Sequence, residues 1–366
     1  MADLKQFETS ATGELVQKSL DVFQKKLQET SVPVYWMISN RALQNGGFTL
    51  DRGPLTYWVS DKGPLSDFKN WQQLPSDDFQ RQLVAAADQF PLLNHSEHED
   101  QCHVSFFVHG YNNGWDDAAK RYEKLCADLY SGENGLGLCV SYDWPSLGSV
   151  LGYLPDRARA RECADDLANV LSQLYDWLLT KQQTAIADPS RACKAKVSMI
   201  SHSMGNYVLQ KAMEAAWTRK NQPLLVTLIN QLIMVAADVD NDLFEPTASD
   251  GNDGDAVANL TYRITALFSG RDAVLGASAG LKHFGVRRLG RSGLAQQPPT
   301  GKDNVWDVDC SSFFPPEIEG MEIHSAYFDN DSTIALMRDI LKGIDRSVLE
   351  TLGRTQGSAW PPPVPA

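Results

Sequence analysis

From residue 102 onward, short apolar runs alternate with longer stretches whose apolar positions recur every three or four residues. Val104 to Val108, Leu138 to Tyr142, Lys196 to Ile200, Leu232 to Ala237 and Tyr262 to Phe268 have the length and β-branched content of buried strands. Between and after them, Trp115 to Tyr130, Pro155 to Leu179, Gly205 to Trp217 and Thr333 to Ile344 read as helices. The long one carries an apolar stripe at Ala160, Cys163, Ala164, Leu167, Leu171, Leu174 and Leu178. Strands that are apolar throughout, rather than alternating, must be covered on both sides. The pattern predicts an α/β fold with a mostly parallel central sheet and helices on both faces.

The region before residue 102 is less regular. Leu15, Val16, Leu20, Val22, Phe23 and Leu27 form a helical stripe among mixed charges, which predicts a packing helix within residues 1–30. Val32 to Ser39 and Leu55 to Ser60 read as strands joined across Asn45-Gly46-Gly47. Residues 61–100 read as polar and irregular, with one helical patch around Phe79 to Ala87. The expected organisation is the N-terminal helix (1–30), one domain (31–350, core 102–345), and a flexible Pro-rich tail (351–366) containing Trp360-Pro361-Pro362-Pro363.

Composition narrows the partners. With 46 acidic against 33 basic residues the net charge is -13, which repels phosphate backbones, so nucleic acid is not expected. Asp250, Asp253 and Asp255 lie in a Gly-rich stretch, Ser249 to Asp255, that reads as a solvated surface loop; it lacks the ligand spacing of an EF-hand. Six cysteines show neither CxxC pairs nor metal-ligand spacing, and several sit in apolar runs as small hydrophobes. The opening MADLKQFETS has no basic region followed by an apolar one, and no window of about 18 uncharged apolar residues follows. No integral membrane segment and a cytoplasmic location are therefore expected.

In open parallel sheets, ligands sit beyond the carboxyl ends of the strands. After the strand ending at Ile200 come Ser201-His202-Ser203-Met204-Gly205 and then a helix. This is a nucleophile elbow of the G-x-S-x-G kind, with Ser201 in place of the first Gly: the turn is so tight that the residues two before and two after the nucleophile must be small. A serine hydroxyl needs a base, and the base needs an orienting group; on this scaffold they follow in the order Ser, acid, His. His95, His98, His103, His109 and His202 all precede Ser203, which leaves His283 and His324. His324, just before the closing helix, is the expected base. His283, close behind Asp272, is expected to be a satisfied structural imidazole.

Asp272 follows Ser269-Gly270 at a strand end and is the expected acid, with Asp238 as the runner-up. An oxyanion hole would take backbone N–H groups from Met204 and from Tyr111, with Gly110 permitting close approach. His109 as a base or metal ligand is the alternative for that loop, although no partner ligand lies at metal spacing. The aromatic residues Tyr111, Trp115, Trp144 and Tyr153 follow strands at the same edge, where they either line an acyl pocket or pack between helices and sheet.

Taken together, Phe107-Val108-His109-Gly110-Tyr111-Asn112, Trp144-Pro145-Ser146, Tyr153-Leu154-Pro155-Asp156, Ser201 to Asn206, Ala236 to Asp240, Asp272-Ala273-Val274-Leu275 and His324-Ser325 resemble a mainly bacterial family of α/β-hydrolases of unknown function. The resemblance spans roughly residues 102–330 and implies the α/β-hydrolase fold and a serine esterase or lipase activity but no particular substrate; a small-molecule acyl substrate is the partner expected from the site residues themselves. Acyl transfer by Ser203, Asp272 and His324 is expected to require no metal and no organic cofactor. Two other readings share the residues: an acyltransferase or thioesterase using the same nucleophile, and a non-catalytic binding module, since fold does not fix function.

Overall fold

The computed structural model describes residues 34–91, 100–111, 114–132, 134–146, 153–188, 192–219, 227–248 and 251–356. The expected N-terminal helix, most of the Pro-rich tail, Asp250, His95 and His98 lie outside these residues. Tyr35–Gln44 (β1) and Gly47–Ser60 (β2) form an antiparallel hairpin around Asn45-Gly46, both in the left-handed backbone region that this tight turn requires. Gln72–Leu74 (β3) adds to β2, and Ser76–Ala87 (α1) follows. The hairpin strands are longer than the apolar runs suggest, because β1 continues through buried Asn40 and Arg41 and the turn-side half of β2 is partly or fully exposed.

The regular part then runs His103–Val108 (β4), Trp115–Leu125 (α2), Gly137–Asp143 (β5), Tyr153–Ala187 (α3), Lys196–His202 (β6), Gly205–Arg219 (α4), Ile229–Val235 (β7), Gly251–Leu260 (α5) and Thr261–Phe268 (β8). Ala273–Ala277 (α6), Leu289–Ser292 (α7), Val305–Asp309 (β9), Ile323–Ala326 (α8), Asp331–Lys342 (α9) and Arg346–Thr351 (α10) complete it. The nine strands lie in the order β3-β2-β1-β5-β4-β6-β7-β8-β9, and every pair from β1 to β9 is parallel. This is the α/β-hydrolase arrangement.

Strand periodicity divides the core. Phe106, Val108, Val140, Met199 and Met234 face the layer that holds α1, α3 and α4, whereas Phe107, Cys139, Ile200, Ile233 and Val235 face the layer that holds α2 and α9. Successive side chains point to opposite faces and both faces are dry, so β4 is buried at all six positions. Among the described residues no helix is long and apolar enough to cross a membrane.

Two expectations are corrected. The acidic stretch is not a solvated loop: from Gly251 it is α5, and Asp253 is buried with its Oδ2 2.6 Å from Lys211 Nζ and accepting from Gln210 Nε2 at 2.9 Å. Ion pairing on a neighbouring helix outweighs the disorder that a charge run signals. Strand β9 was not expected, because Asp307 and Asp309 interrupt its apolar positions; Leu294 N–H and Ser311 N–H take up those carboxylates.

Candidate active site

Ser203 stands at the sharp exit of β6. Its φ is +53°, a conformation costly for any residue with a Cβ, and the surroundings hold it there. Ser203 N–H donates to Val235 O at 3.0 Å, and Asp238 N–H donates to Ser203 O at 3.1 Å. The Asn206 amide, in the first turn of α4, donates to Ser201 O at 3.0 Å and to Ser203 O at 3.1 Å. The small flanks have a steric cause. A Cβ on Gly205 would lie 2.4 Å from His109 O, and one on Gly110 would lie 2.7 Å from Ser203 Cβ.

The three side chains singled out from sequence form one hydrogen-bonded row. His324 Nε2 is 2.7 Å from Ser203 Oγ, and His324 Nδ1 is 2.7 Å from Asp272 Oδ2. With Nδ1–H donating to the carboxylate, Nε2 is left as the acceptor of the serine proton. Asp272 is fully buried and also caps α6, its Oδ1 accepting from Leu275 N–H at 3.0 Å. Arg291 donates to the Asp272 carbonyl and fixes the backbone behind it. Ser203 and His324 are 2% and 8% exposed, so the row is almost entirely shielded from water.

Asp238, the runner-up acid, is committed elsewhere. Its Oδ1 accepts from Arg288 Nε and from Ser278 Oγ, both at 2.8 Å, and its Oδ2 from Tyr153 O–H at 2.7 Å. Burial raises the Asp238 carboxyl, but Arg288 and Arg157 outweigh burial and leave it below the usual carboxylate range. His283 Nε2 lies 2.6 Å from Tyr153 Oη, so it is the satisfied imidazole that its position suggests; burial, with Arg288 and Arg157, lowers it to about 4.

Gly110 packs against Ser203, and Tyr111 rests edge-on against Tyr153 at 5.6 Å. Met204 is buried directly before α4, whose N-terminal dipole favours negative charge. The four aromatics divide. Trp144 is fully buried and stacks on His109, and Trp115 packs against Phe48 with Nε1–H on Ser66 O, so these two are packing residues. Tyr111 follows Gly110, whose backbone borders Ser203, and Tyr153 hydrogen-bonds with Asp238, Ser278 and His283. His109 is no open ligand: its Nδ1 is 3.0 Å from Gly110 O and its Nε2 3.1 Å from Asp143 Oδ1.

Sequence reasoning assigned no role to Asn206, His202 or Asp143. The strand-end position of Asp143, one residue past the Val108 partner Tyr142, was the available signal; Arg41, which pairs with it, has none, because nothing in a strand pattern marks a buried arginine.

A family described as "Alpha/beta hydrolase of unknown function (DUF900)" matches residues 85–337. No curated protein matches the chain. Solved structures similar to it include an esterase from Pyrobaculum calidifontis, with 9% identity, 92% of each chain covered and a TM-score of 0.35. Esterases from the fungus Rhizomucor miehei are also similar, with 9% identity, 90% of this chain and 92% of that one covered, and a TM-score of 0.32. At these values the likeness says nothing of substrate, and the fold assignment rests on strand order and family.

Proposed function

The chain belongs to this family of α/β-hydrolases of unknown function, and from that membership we propose that it is a serine hydrolase of carboxylesterase or lipase type. The observation that carries the reading is the pair of 2.7 Å contacts linking Ser203, His324 and Asp272. His324 Nε2 takes the proton of Ser203 as Oγ attacks the carbonyl carbon of an acyl ester. The tetrahedral oxyanion is held by the N–H groups of Tyr111 and Met204. His324 then protonates the departing alkoxide, and the C–O bond breaks to leave an acyl-enzyme. Water, deprotonated by the same imidazole, attacks the acyl carbon and returns the serine. Asp272 holds Nδ1–H and stabilises the imidazolium that forms. The steps require no metal or organic cofactor.

A binding module with a retired site would have no use for a strained serine within hydrogen-bond reach of an oriented imidazole, so the contacts favour catalysis. All six cysteines are free thiols, which suits action in the reducing cytoplasm. Ser203→Ala should abolish both fluorophosphonate labelling and hydrolysis of a short p-nitrophenyl ester. Persistence of both in the variant would overturn the proposal.

A further inference from the structure

Behind the loop that carries Tyr111 lies a buried ionic row that the reaction above does not use. Asp143, the last residue of β5, is 1% exposed. Arg41 Nε donates to both of its oxygens, at 2.9 and 3.0 Å, and Ser39 O–H donates to Oδ2 at 2.9 Å. His109 Nε2 lies 3.1 Å from Asp143 Oδ1 and 3.1 Å from the Trp144 backbone N, and His109 is fully buried. Burial raises the Asp143 carboxyl, yet Arg41 and His109 outweigh it and hold the group below its usual range. Taking such charges out of water costs several kcal/mol per ion, and apolar residues of equal volume often serve stability as well. A role beyond stability is therefore worth seeking in the atom at the end of the row.

That atom is Gly110 O, 3.0 Å from His109 Nδ1. A carbonyl only accepts, so Nδ1 carries the proton. The Gly110–Tyr111 peptide is trans, and in a trans peptide C=O and N–H point in opposite directions. A bond that holds the Gly110 carbonyl toward His109 therefore turns the Tyr111 N–H away from it. The clamped peptide borders the nucleophile, since a Cβ on Gly110 would meet Ser203 Cβ at 2.7 Å and His202 Nδ1 at 2.8 Å. Trp144 locks the ring from the side: it stacks on His109 with planes 5° apart, and its Nε1–H donates to His109 O at 2.8 Å.

We propose that His109, whose Nε2 accepts from the Trp144 backbone N–H beside the Asp143–Arg41 pair, is a positioning residue that aims the Tyr111 N–H at the oxyanion. The proposal rests on the reading of Ser203 as the acyl-transfer nucleophile. His109→Asn keeps a side-chain N–H as many bonds from Cα as Nδ1, whereas His109→Gln moves the amide one bond farther out. The readouts are the rate of fluorophosphonate labelling, whose P=O oxygen occupies the same hole, and kcat and KM on a short p-nitrophenyl ester. The Gln variant should lose about 10²-fold in labelling rate and in kcat with KM within about threefold, as removal of one oxyanion donor does, while the Asn variant stays within about tenfold of the parent. Equal rates in the two variants, or a loss that appears in KM alone, would overturn it; a merely structural role would lower both variants together with their melting temperature. Should neither variant fold, Trp144→Phe keeps an aromatic ring beside His109 and removes the Nε1–H together with part of the indole: labelling about three- to tenfold slower with an unchanged melting temperature supports the proposal and an unchanged rate sinks it. A parent protein that neither labels nor hydrolyses any ester overturns the Ser203 reading itself, whereas an active parent with indifferent His109 variants overturns only this one.

Discussion

His202 Nε2–H donates to the backbone carbonyl of His324 at 2.8 Å, so the residue beside the proposed nucleophile grips the main chain of the proposed base. The two rings lie 5.0 Å apart, with Phe328 edge-on against His202 at 5.2 Å. Burial, reinforced by His324 and Arg121, holds the His202 imidazole well below its ordinary pKa and keeps it neutral. The grip thus persists wherever the base itself is neutral.

His202→Phe should keep the ring volume and lose this bond. A displacement of the base by a fraction of an ångström is enough to lower kcat by about 10- to 100-fold with KM little changed. Steady-state kinetics on a p-nitrophenyl ester check it, and a rise in KM at constant kcat would contradict it.

The two acids should separate by phenotype. Asp272→Asn leaves the packing intact but favours the wrong His324 tautomer, so kcat should fall by about 10⁴ with little change in melting temperature. Asp238→Asn takes one of two carboxylate partners from buried Arg288, leaving Asp240, and should cost about 1–3 kcal/mol of stability. Urea unfolding and kinetics on both variants test the assignment; the opposite pairing of effects would make Asp238 the orienting acid.

Gly110→Ala should be severe, although it adds one methyl group. The new Cβ would meet Ser203 Cβ at 2.7 Å, which forces the Tyr111 loop off the elbow. A loss of about 10²-fold or more in kcat is expected while circular dichroism stays native. Near-normal turnover would show that Tyr111 supplies no oxyanion donor.

Stability should fall between pH 6.5 and about 4. His283 is lowered from its ordinary 6.5 to about 4, through burial first and then Arg288 and Arg157; Asp238 and Asp240 act the other way, and Tyr153 hydrogen-bonds it. His202 is lowered from 6.5 as well. As the pH drops through 6.5 the unfolded chain takes up protons that the native state refuses, so unfolding is favoured. The depressed Asp143 and Asp238 lose their contribution only below 3.8. Urea unfolding at pH 7 and pH 5 should show the loss, with a shallower drop for His283→Gln; an equal drop would refute the role of His283.

Much of this site was legible because its logic is local or ordinal. A small residue on either side of Ser203 follows from the tightness of one turn, and the chain order of base and acid follows from parallel strands delivering successive loops to one edge. Asp272 and Asp238 both stand past strand ends, and no local property tells them apart. Only the packed structure shows that Arg288, Ser278 and Tyr153 claim Asp238 while His324 meets Asp272. The acidic stretch misled for the same reason, since Lys211, a distant residue in sequence, makes Asp253 a buried partner.

The sequence by itself determined the layered α/β architecture, the elbow and the short list of groups that could serve it, because periodicity, turn sterics and chain order are properties of neighbouring residues. Tertiary structure decided which carboxylate meets the His324 imidazole and which buried groups stand behind the loops of the proposed site. Those choices depend on distances between residues far apart in the chain, and desolvation makes each unpaired alternative expensive.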